Sequence, residues 1–165
     1  MRRARQSPAL QAWRGVSVAA PAAAVWPWVA QIRLAPYSYD WVDNLGRRSP
    51  QELVELPEPQ VGDTFTATGG RRLGRILSVG PGVQLTGSIL GAVMSYVLVP
   101  QGPDTTRLLL KVVMGGPRAL APLVSVGDLV MARRQLLNLR RLAEGRSRVR
   151  RRDEPPGVVG CDDGV

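Results

Sequence analysis

The sequence contains no histidine and a single cysteine, Cys161, among its 165 residues. Without histidine, the imidazole-based triads, metal sites and proton shuttles of many enzymes are excluded. One cysteine cannot close an internal disulfide, and a chain of this length does not need one to fold. We see no spacing typical of a metal site, so we expect neither a disulfide framework nor a bound metal.

Long apolar runs are also missing. The most apolar stretch, residues 87–99, is shorter than the roughly 20 residues that a membrane-spanning helix needs. Residues 16–24 follow a basic start, but Pro21 interrupts this short run, so we do not favour a signal peptide. The glycine pair at 69–70 lacks the spacing and the lysine of a phosphate-binding loop. We therefore expect a soluble, cytoplasmic protein with no cofactor.

The charge is unevenly distributed. The net charge is +9, and arginine supplies almost all of the positive charge, since Lys111 is the only lysine. Arginines cluster before residue 6 and over residues 140–152. No aromatic residue lies among residues 146–152 to stack on bases, so nucleic-acid binding is not favoured. An interaction module that uses this basic tail remains an alternative.

The length and the 44% content of apolar residues predict one globular domain. We expect a flexible basic N-terminus over residues 1–11, a folded domain over residues 12–144, and a disordered arginine-rich tail over residues 145–165. The 18 glycines and 14 prolines indicate many turns and short elements within that domain.

The first part of the domain reads as a strand followed by helices. We predict a strand over residues 12–18 and a helix from Pro21 to about Ile32, with a kink or break at Pro27. Residues 37–45 are typical of a short helical or turn segment. Residues 49–52, Ser-Pro-Gln-Glu, form a capping box that predicts another short helix.

The rest of the domain reads as a meander of strands and a final helix. Turn-separated apolar segments predict strands over residues 64–68, 73–79, 83–89, 94–99 and 106–114. After Pro117, apolar residues recur at helical spacing as far as Leu142, with arginines on the other side. A meander cannot bury one face alone, so this long helix is its expected cover.

These features resemble the SRPBCC superfamily, in particular its bacterial branch similar to polyketide cyclases and dehydratases. The resemblance spans residues 13–144, and its most specific piece is Tyr-Ser-Tyr-Asp-Trp at 37–41. Further matching pieces are residues 18–21, 25–31, 62–64, 105–108 and 130–137. The resemblance implies the α+β helix-grip fold: a curved antiparallel sheet wrapped around a long C-terminal helix, with two short helices after the first strand.

A cavity for a small hydrophobic molecule is the main functional expectation. Alternation in the last strand turns Leu108, Leu110, Val112 and Met114 inward, a pattern that a filled core would share. The helix-grip resemblance implies instead a cavity between sheet and helix, of roughly 300–1,000 Å³. The candidate ligand-binding residues are Trp28, Tyr37, Tyr39, Trp41, Phe65, Met94, Tyr96, Leu108, Leu110, Val112, Met114, Val126 and Val130.

A catalytic role is the principal alternative. Asp40 beside Tyr39 could act as a general base on an enolisable substrate. An aspartate at a turn more often accepts backbone hydrogen bonds, so the structural interpretation is favoured. We expect a carrier or sensor of a lipid-, polyketide- or aromatic-like ligand, with a cyclase or dehydratase as the alternative. The oligomeric state is not indicated.

Overall fold

The computed structural model describes residues 10–37, 48–114 and 121–153 of the chain. A strand and a short helical region precede five consecutive strands and one long helix. The elements are β1 (Leu10–Val18), α1 (Ala22–Ala30), a 3₁₀ helix (Gln31–Arg33), β2 (Thr64–Thr68), β3 (Arg71–Gly80), β4 (Gln84–Ile89), β5 (Ala92–Gly102), β6 (Thr105–Met114) and α2 (Ala121–Asp153).

The six strands form one antiparallel sheet in the order β1-β6-β5-β4-β3-β2. Each strand from β2 to β6 pairs with its neighbour in sequence, which is the predicted meander, and β1 joins at the edge of β6. The helix α2 packs against β1, β6 and α1. The predicted α+β architecture of an antiparallel sheet with a long C-terminal helix is therefore confirmed.

Two tight hairpins lie at the same end of the sheet. Gly69 and Gly70 connect β2 to β3, and both have positive φ, 56° and 84°. Leu90 and Gly91 connect β4 to β5 with φ of 47° and 82°. Two central residues with positive φ are the turn geometry that matches the twist of paired strands. Leucine rarely adopts this conformation, which makes Leu90 unusual.

The helix α1 continues through Pro27, so of the predicted kink or break at this residue, the break does not occur. The helix ends three residues later, at Ala30, and the chain continues as the 3₁₀ helix. The side chains of Val25, Trp28 and Val29 are buried in the core. This packing on both sides of Pro27 holds the helix together despite the missing N–H.

The capping box at residues 49–52 does not open a helix, so that prediction is also wrong. The hydroxyl of Ser49 accepts a 3.3 Å hydrogen bond from the backbone N–H of Tyr37. The buried amide of Gln31 donates to the carbonyl of Glu52 at 2.9 Å and accepts from the N–H of Val54 at 2.8 Å. The two bonds with Gln31 use the carbonyl of Glu52 and the N–H of Val54, and a helix would need both groups for its own hydrogen bonds. The rest of the predicted segment 37–45, after Tyr37, lies outside the described residues.

The helix α2 extends past Gly145 to Asp153, beyond the boundary at which we predicted a disordered tail. Glu144 explains part of this continuation, because Arg140 and Arg148 lie one turn to either side and both approach its carboxylate. Arginine is also a good helix former. None of the described helices combines the length and apolar character that crossing a bilayer requires.

Candidate functional site

A cavity of about 390 Å³ lies between the inner face of the sheet and α2. Strands β2 to β6, the 3₁₀ helix and α2 all contribute to its wall. Its lining is formed by Ile32, Pro36, Phe65, Thr66, Thr68, Leu73, Ile89, Leu90, Ala92, Met94, Tyr96, Val112, Met114, Met131, Ala132 and Gln135. Among these described residues there is no acid, lysine or arginine, so the wall is apolar with a few neutral polar groups.

Strand alternation explains why β5 and β6 supply much of this wall. Ala92, Met94 and Tyr96 are alternate residues of β5 and share one face of the sheet. On β6, Val112 lies opposite Met94 and Met114 lies opposite Ala92. Cross-strand neighbours on one face contact each other, and together these residues form a continuous apolar surface.

The aromatic part of the wall depends on a glycine. Phe65 of β2 is buried beside Tyr96, with the ring centroids 6.3 Å apart. A β-carbon added at Gly87 of β4 would lie only 2.0 Å from the ring of Phe65. A side chain at position 87 would therefore displace this ring from the cavity.

The polar groups of the wall are hydrogen-bonded within the protein. The hydroxyl of Tyr96 donates to Oε1 of Gln135 at 2.6 Å, and Nε2 of Gln135 donates to the carbonyl of Pro36. The hydroxyl of Thr66 donates to the carbonyl of Ile32 at 2.9 Å. These bonds connect the sheet, α2 and the segment after the 3₁₀ helix. The cavity can therefore hold an apolar molecule and offer it a few neutral polar contacts.

Leu90 lies at the opening of the cavity. It contributes to the lining and yet is 87% exposed, at the tip of the β4–β5 hairpin. Ile89, Ala92 and Met114 continue the apolar wall inward from it. The opening is therefore apolar on the side of this hairpin.

The structure brings part of the predicted ligand-binding set together. Phe65, Met94, Tyr96, Val112 and Met114 line the cavity. The remaining predicted residues that the structure describes lie elsewhere: Tyr37, Leu108 and Leu110 are buried in the core, and Trp28 lines a different depression, beside the last turns of α2. All of these residues are inward-facing, and their role in binding a ligand stays a prediction.

The other predicted site residues have no side chains among those that the structure describes. Asp40, Tyr39 and Trp41 lie outside the described residues. Val126 and Val130 belong to α2, but the structure describes only the backbone of this part of the helix. The predicted catalytic base and its tyrosine neighbour therefore remain hypotheses from the sequence.

Sequence reasoning missed several wall residues, among them Ala132 and Gln135. Both lie on the face of α2 that contacts the cavity. A glutamine that interrupts an apolar stripe of a helix is a signal of a buried polar contact, and Gln135 carried that signal. Thr66 and Ile32 gave no comparable signal, because their position depends on how the 3₁₀ helix meets β2. Among the described residues, no group of three or more acids, cysteines or histidines could hold a metal ion.

Comparison with known proteins identifies the architecture. No family model matches the sequence, and no curated protein matches it either. Solved structures do match. A protein from Nitrosospira multiformis superposes with a TM-score of 0.56 over 84% of this chain and 99% of that chain, at 14% identity. The aromatase/cyclase Zhui from a Streptomyces species gives a TM-score of 0.53 over 86% of this chain and 97% of that chain, at 16% identity.

The chain has the helix-grip fold. The di-domain aromatase/cyclase BexL is similar too, with a TM-score of 0.51 and 16% identity, and the match covers 82% of this chain and 46% of that longer chain. At such identities the likeness establishes the fold and leaves the activity open. The helix-grip architecture accounts for a cavity between sheet and helix.

Proposed function

We propose that the protein binds a small hydrophobic molecule in the cavity, as a carrier or sensor. The observation that carries this proposal is the open apolar cavity of about 390 Å³, which has no charged side chain among its described lining residues. Ligand pockets are typically apolar concavities of roughly this size with a few placed polar groups. The chemical class that fits is a lipid-, polyketide- or aromatic-like molecule.

The lining also predicts the charge of the ligand. A carboxylate or ammonium group moved into this wall would lose its hydration without gaining an opposite charge. A neutral molecule with a hydroxyl or carbonyl can instead exchange hydrogen bonds with Gln135 or Thr66. We therefore expect the ligand to be neutral in the part that enters the cavity.

Simple energetics set the expected affinity. Burying about 300 Å² of apolar ligand surface yields about 7 kcal/mol. Association costs of several kcal/mol or more reduce this gain. The result is binding at roughly micromolar concentration or weaker, with tolerance for ligand shape.

A cavity-filling variant tests the proposal. Ala132 lies on α2 in the wall and is buried, so Ala132→Trp should occupy part of the cavity. We expect the native protein to bind the neutral dye Nile red saturably, and the variant to bind it at least tenfold more weakly. Leu77→Trp is the matched control, because Leu77 of β3 is half exposed and lies outside the lining.

If Ala132→Trp fails to fold, Ala92→Phe at the opposite wall makes the same test from the sheet side. Dye binding that is absent from the native protein, or equal in native and cavity-filled proteins, would contradict the proposal. Native mass spectrometry of protein purified from its own host would identify a retained molecule.

A cyclase- or dehydratase-type enzyme is the second candidate, favoured by the likeness to the aromatase/cyclases Zhui and BexL. Its general base would be Asp40, with Tyr39 beside it, since the described part of the wall offers no carboxylate. Asp40→Asn separates the two candidates. A carrier keeps its affinity for the ligand in this variant, whereas an enzyme loses turnover of a polyketide-like substrate, followed by mass spectrometry of the product.

A further inference from the structure

A second depression, of about 880 Å³, lies between α1, residues 51–53 and the last turns of α2. We propose that this arginine groove binds an amphipathic anion, a molecule with an apolar chain and a carboxylate or phosphate at one end. The groove is lined by Trp28, Gln51, Glu52, Leu53, Arg141, Leu142, Gly145, Arg146, Val149 and Arg150. It shares no lining residue with the cavity, so the inference is independent of the proposed function.

The floor of the arginine groove is apolar. Leu142 and Val149 lie two helical turns apart on one face of α2. Leu53 and Trp28 contribute from the segment after β1 and before β2. Val149 is 59% exposed although it lies in this concave surface. An apolar chain placed here would cover surface that otherwise contacts water.

Three arginines line the arginine groove, namely Arg141, Arg146 and Arg150, against one acid, Glu52. The ion pairs of α2 within the described chain use Arg140 and Arg148, which both approach Glu144. The three groove arginines have no carboxylate partner among the described residues; Arg141 donates only to the amide of Gln51, at 2.9 Å. Guanidinium groups without a protein counter-ion favour a carboxylate or phosphate as occupant.

Trp28, which lines the groove, also carries a buried donor without a partner. Its side chain is 2% exposed, and the indole N–H finds no hydrogen-bond acceptor in the described structure. A buried donor without an acceptor is destabilising, and most buried tryptophans avoid it. Because this N–H is itself buried, Trp28 contributes its ring to the floor of the groove, and the anionic end of the occupant is left to the arginines.

Gly145 keeps the arginine groove open. A glycine inside a helix destabilises it relative to alanine. A β-carbon added at Gly145 would meet no heavy atom within 4 Å, so packing does not require a glycine there. The consequence of the missing side chain is a gap in the wall between Leu142 and Arg146.

The apolar floor and the three arginines of the groove together select the class of ligand. Inorganic phosphate would pair with the arginines but would leave the floor in water. A neutral lipid would cover the floor but would leave the arginines unpaired. A molecule with an apolar chain and an anionic end can cover the floor and pair with the arginines at the same time. It is therefore complementary to the groove in both surface and charge.

Dodecyl phosphate, used below the concentration at which it forms micelles, is a suitable probe for the full-length protein. We expect saturable binding by calorimetry, together with a change in tryptophan fluorescence. The double variant Arg146→Gln/Arg150→Gln should weaken binding at least tenfold. The control Arg133→Gln/Arg148→Gln removes the same charge from exposed positions of α2 outside the lining, and should bind like the native protein.

Gly145→Leu tests the apolar part of the arginine groove without changing charge. Its side chain should enter the open space and weaken binding at least tenfold, with the helical circular dichroism retained. Ala132→Trp, which fills the cavity, should leave dodecyl phosphate binding unchanged. This last arm separates failure of the groove proposal from failure of the proposed function.

Four outcomes would overturn the proposal. The first is that the charge-matched control loses as much affinity as Arg146→Gln/Arg150→Gln. The second and third are that inorganic phosphate, or dodecanol, binds as tightly as dodecyl phosphate. The fourth is that Ala132→Trp no longer binds dodecyl phosphate. The first would indicate general electrostatic attraction and the second a plain anion site. The third would show that the anionic end is not recognised, and the fourth would place the probe in the cavity.

Discussion

The hydroxyl of Tyr96 on β5 donates a 2.6 Å hydrogen bond to the side-chain carbonyl of Gln135 on α2. Both residues are buried and both line the cavity. The same glutamine donates to the backbone of Pro36, so one side chain joins the sheet, the long helix and the segment after the 3₁₀ helix. A directional bond between sheet and helix fixes their separation in a way that apolar contacts alone do not.

Removing the Tyr96 hydroxyl tests this connection. Tyr96→Phe leaves Oε1 of Gln135 buried without its donor, and an unsatisfied buried group costs about 1–3 kcal/mol. We expect the free energy of unfolding to fall by this amount in urea titration. In a double-mutant cycle with Gln135→Leu, the two losses should not add. Additivity within about 0.5 kcal/mol would contradict a direct connection.

The contact between Gly87 and Phe65 supports the second prediction. Because a β-carbon at position 87 would lie 2.0 Å from the Phe65 ring, Gly87→Ala must displace that ring. Overpacking of this kind costs about 1–3 kcal/mol. We expect a matching drop in thermal stability and altered dye binding. Gly102→Ala is the control, since nothing lies within 4 Å of its β-carbon; an equal effect in both variants would refute the contact.

Much of the fold was predictable from the sequence because local patterns agreed with the tertiary structure. Strand β2 was predicted at Thr64–Thr68, and glycines or prolines marked the turns that follow it. Alternation along β6 placed Val112 and Met114 on the inner face, which the register with β5 confirms. The apolar stripe of α2 correctly predicted a long helix.

The errors came from contacts between residues far apart in sequence. The capping box at 49–52 was locally convincing, but the buried amide of Gln31 holds that segment through Glu52 and Val54. The end of α2 was misplaced because arginine-rich composition was taken as disorder, whereas Glu144 and its neighbours continue the helix. Ala132 lines the cavity because of the distance between α2 and the sheet. The spacing of apolar residues along the sequence gives no information on that distance.

Leu90 carries the third prediction. Its φ of 47° is unfavourable for leucine, and its side chain is 87% exposed, so little packing offsets the strain. Asparagine followed by glycine is the preferred pair for this turn. Leu90→Asn should therefore stabilise the protein by roughly 0.5–1 kcal/mol in thermal unfolding. A loss of stability would show that the exposed leucine makes contacts that offset its strain.

Glu144 supports the last prediction, because it joins the end of β1 to α2. Its side chain is largely buried, and one oxygen accepts hydrogen bonds of 2.9 Å from both the backbone N–H of Ala19 and the Arg140 side chain. Hydrogen bonds to a charged group contribute about 1.5–3 kcal/mol, so Glu144→Ala should lower the free energy of unfolding by this amount. Glu144→Gln keeps an acceptor for Ala19 and should lose less.

Arg148 provides the matched control for this prediction. It approaches the second oxygen of Glu144 at 3.8 Å, but its side chain is 77% exposed. Exposed ion pairs contribute about 0–1 kcal/mol, so Arg148→Ala should change the free energy of unfolding little. If Arg148→Ala costs as much as Glu144→Ala, the carboxylate stabilises α2 through its ion pairs. A greater loss in Glu144→Ala would instead show that the two bonds of its first oxygen, to the backbone of Ala19 just after β1 and to Arg140, contribute most of the stabilisation.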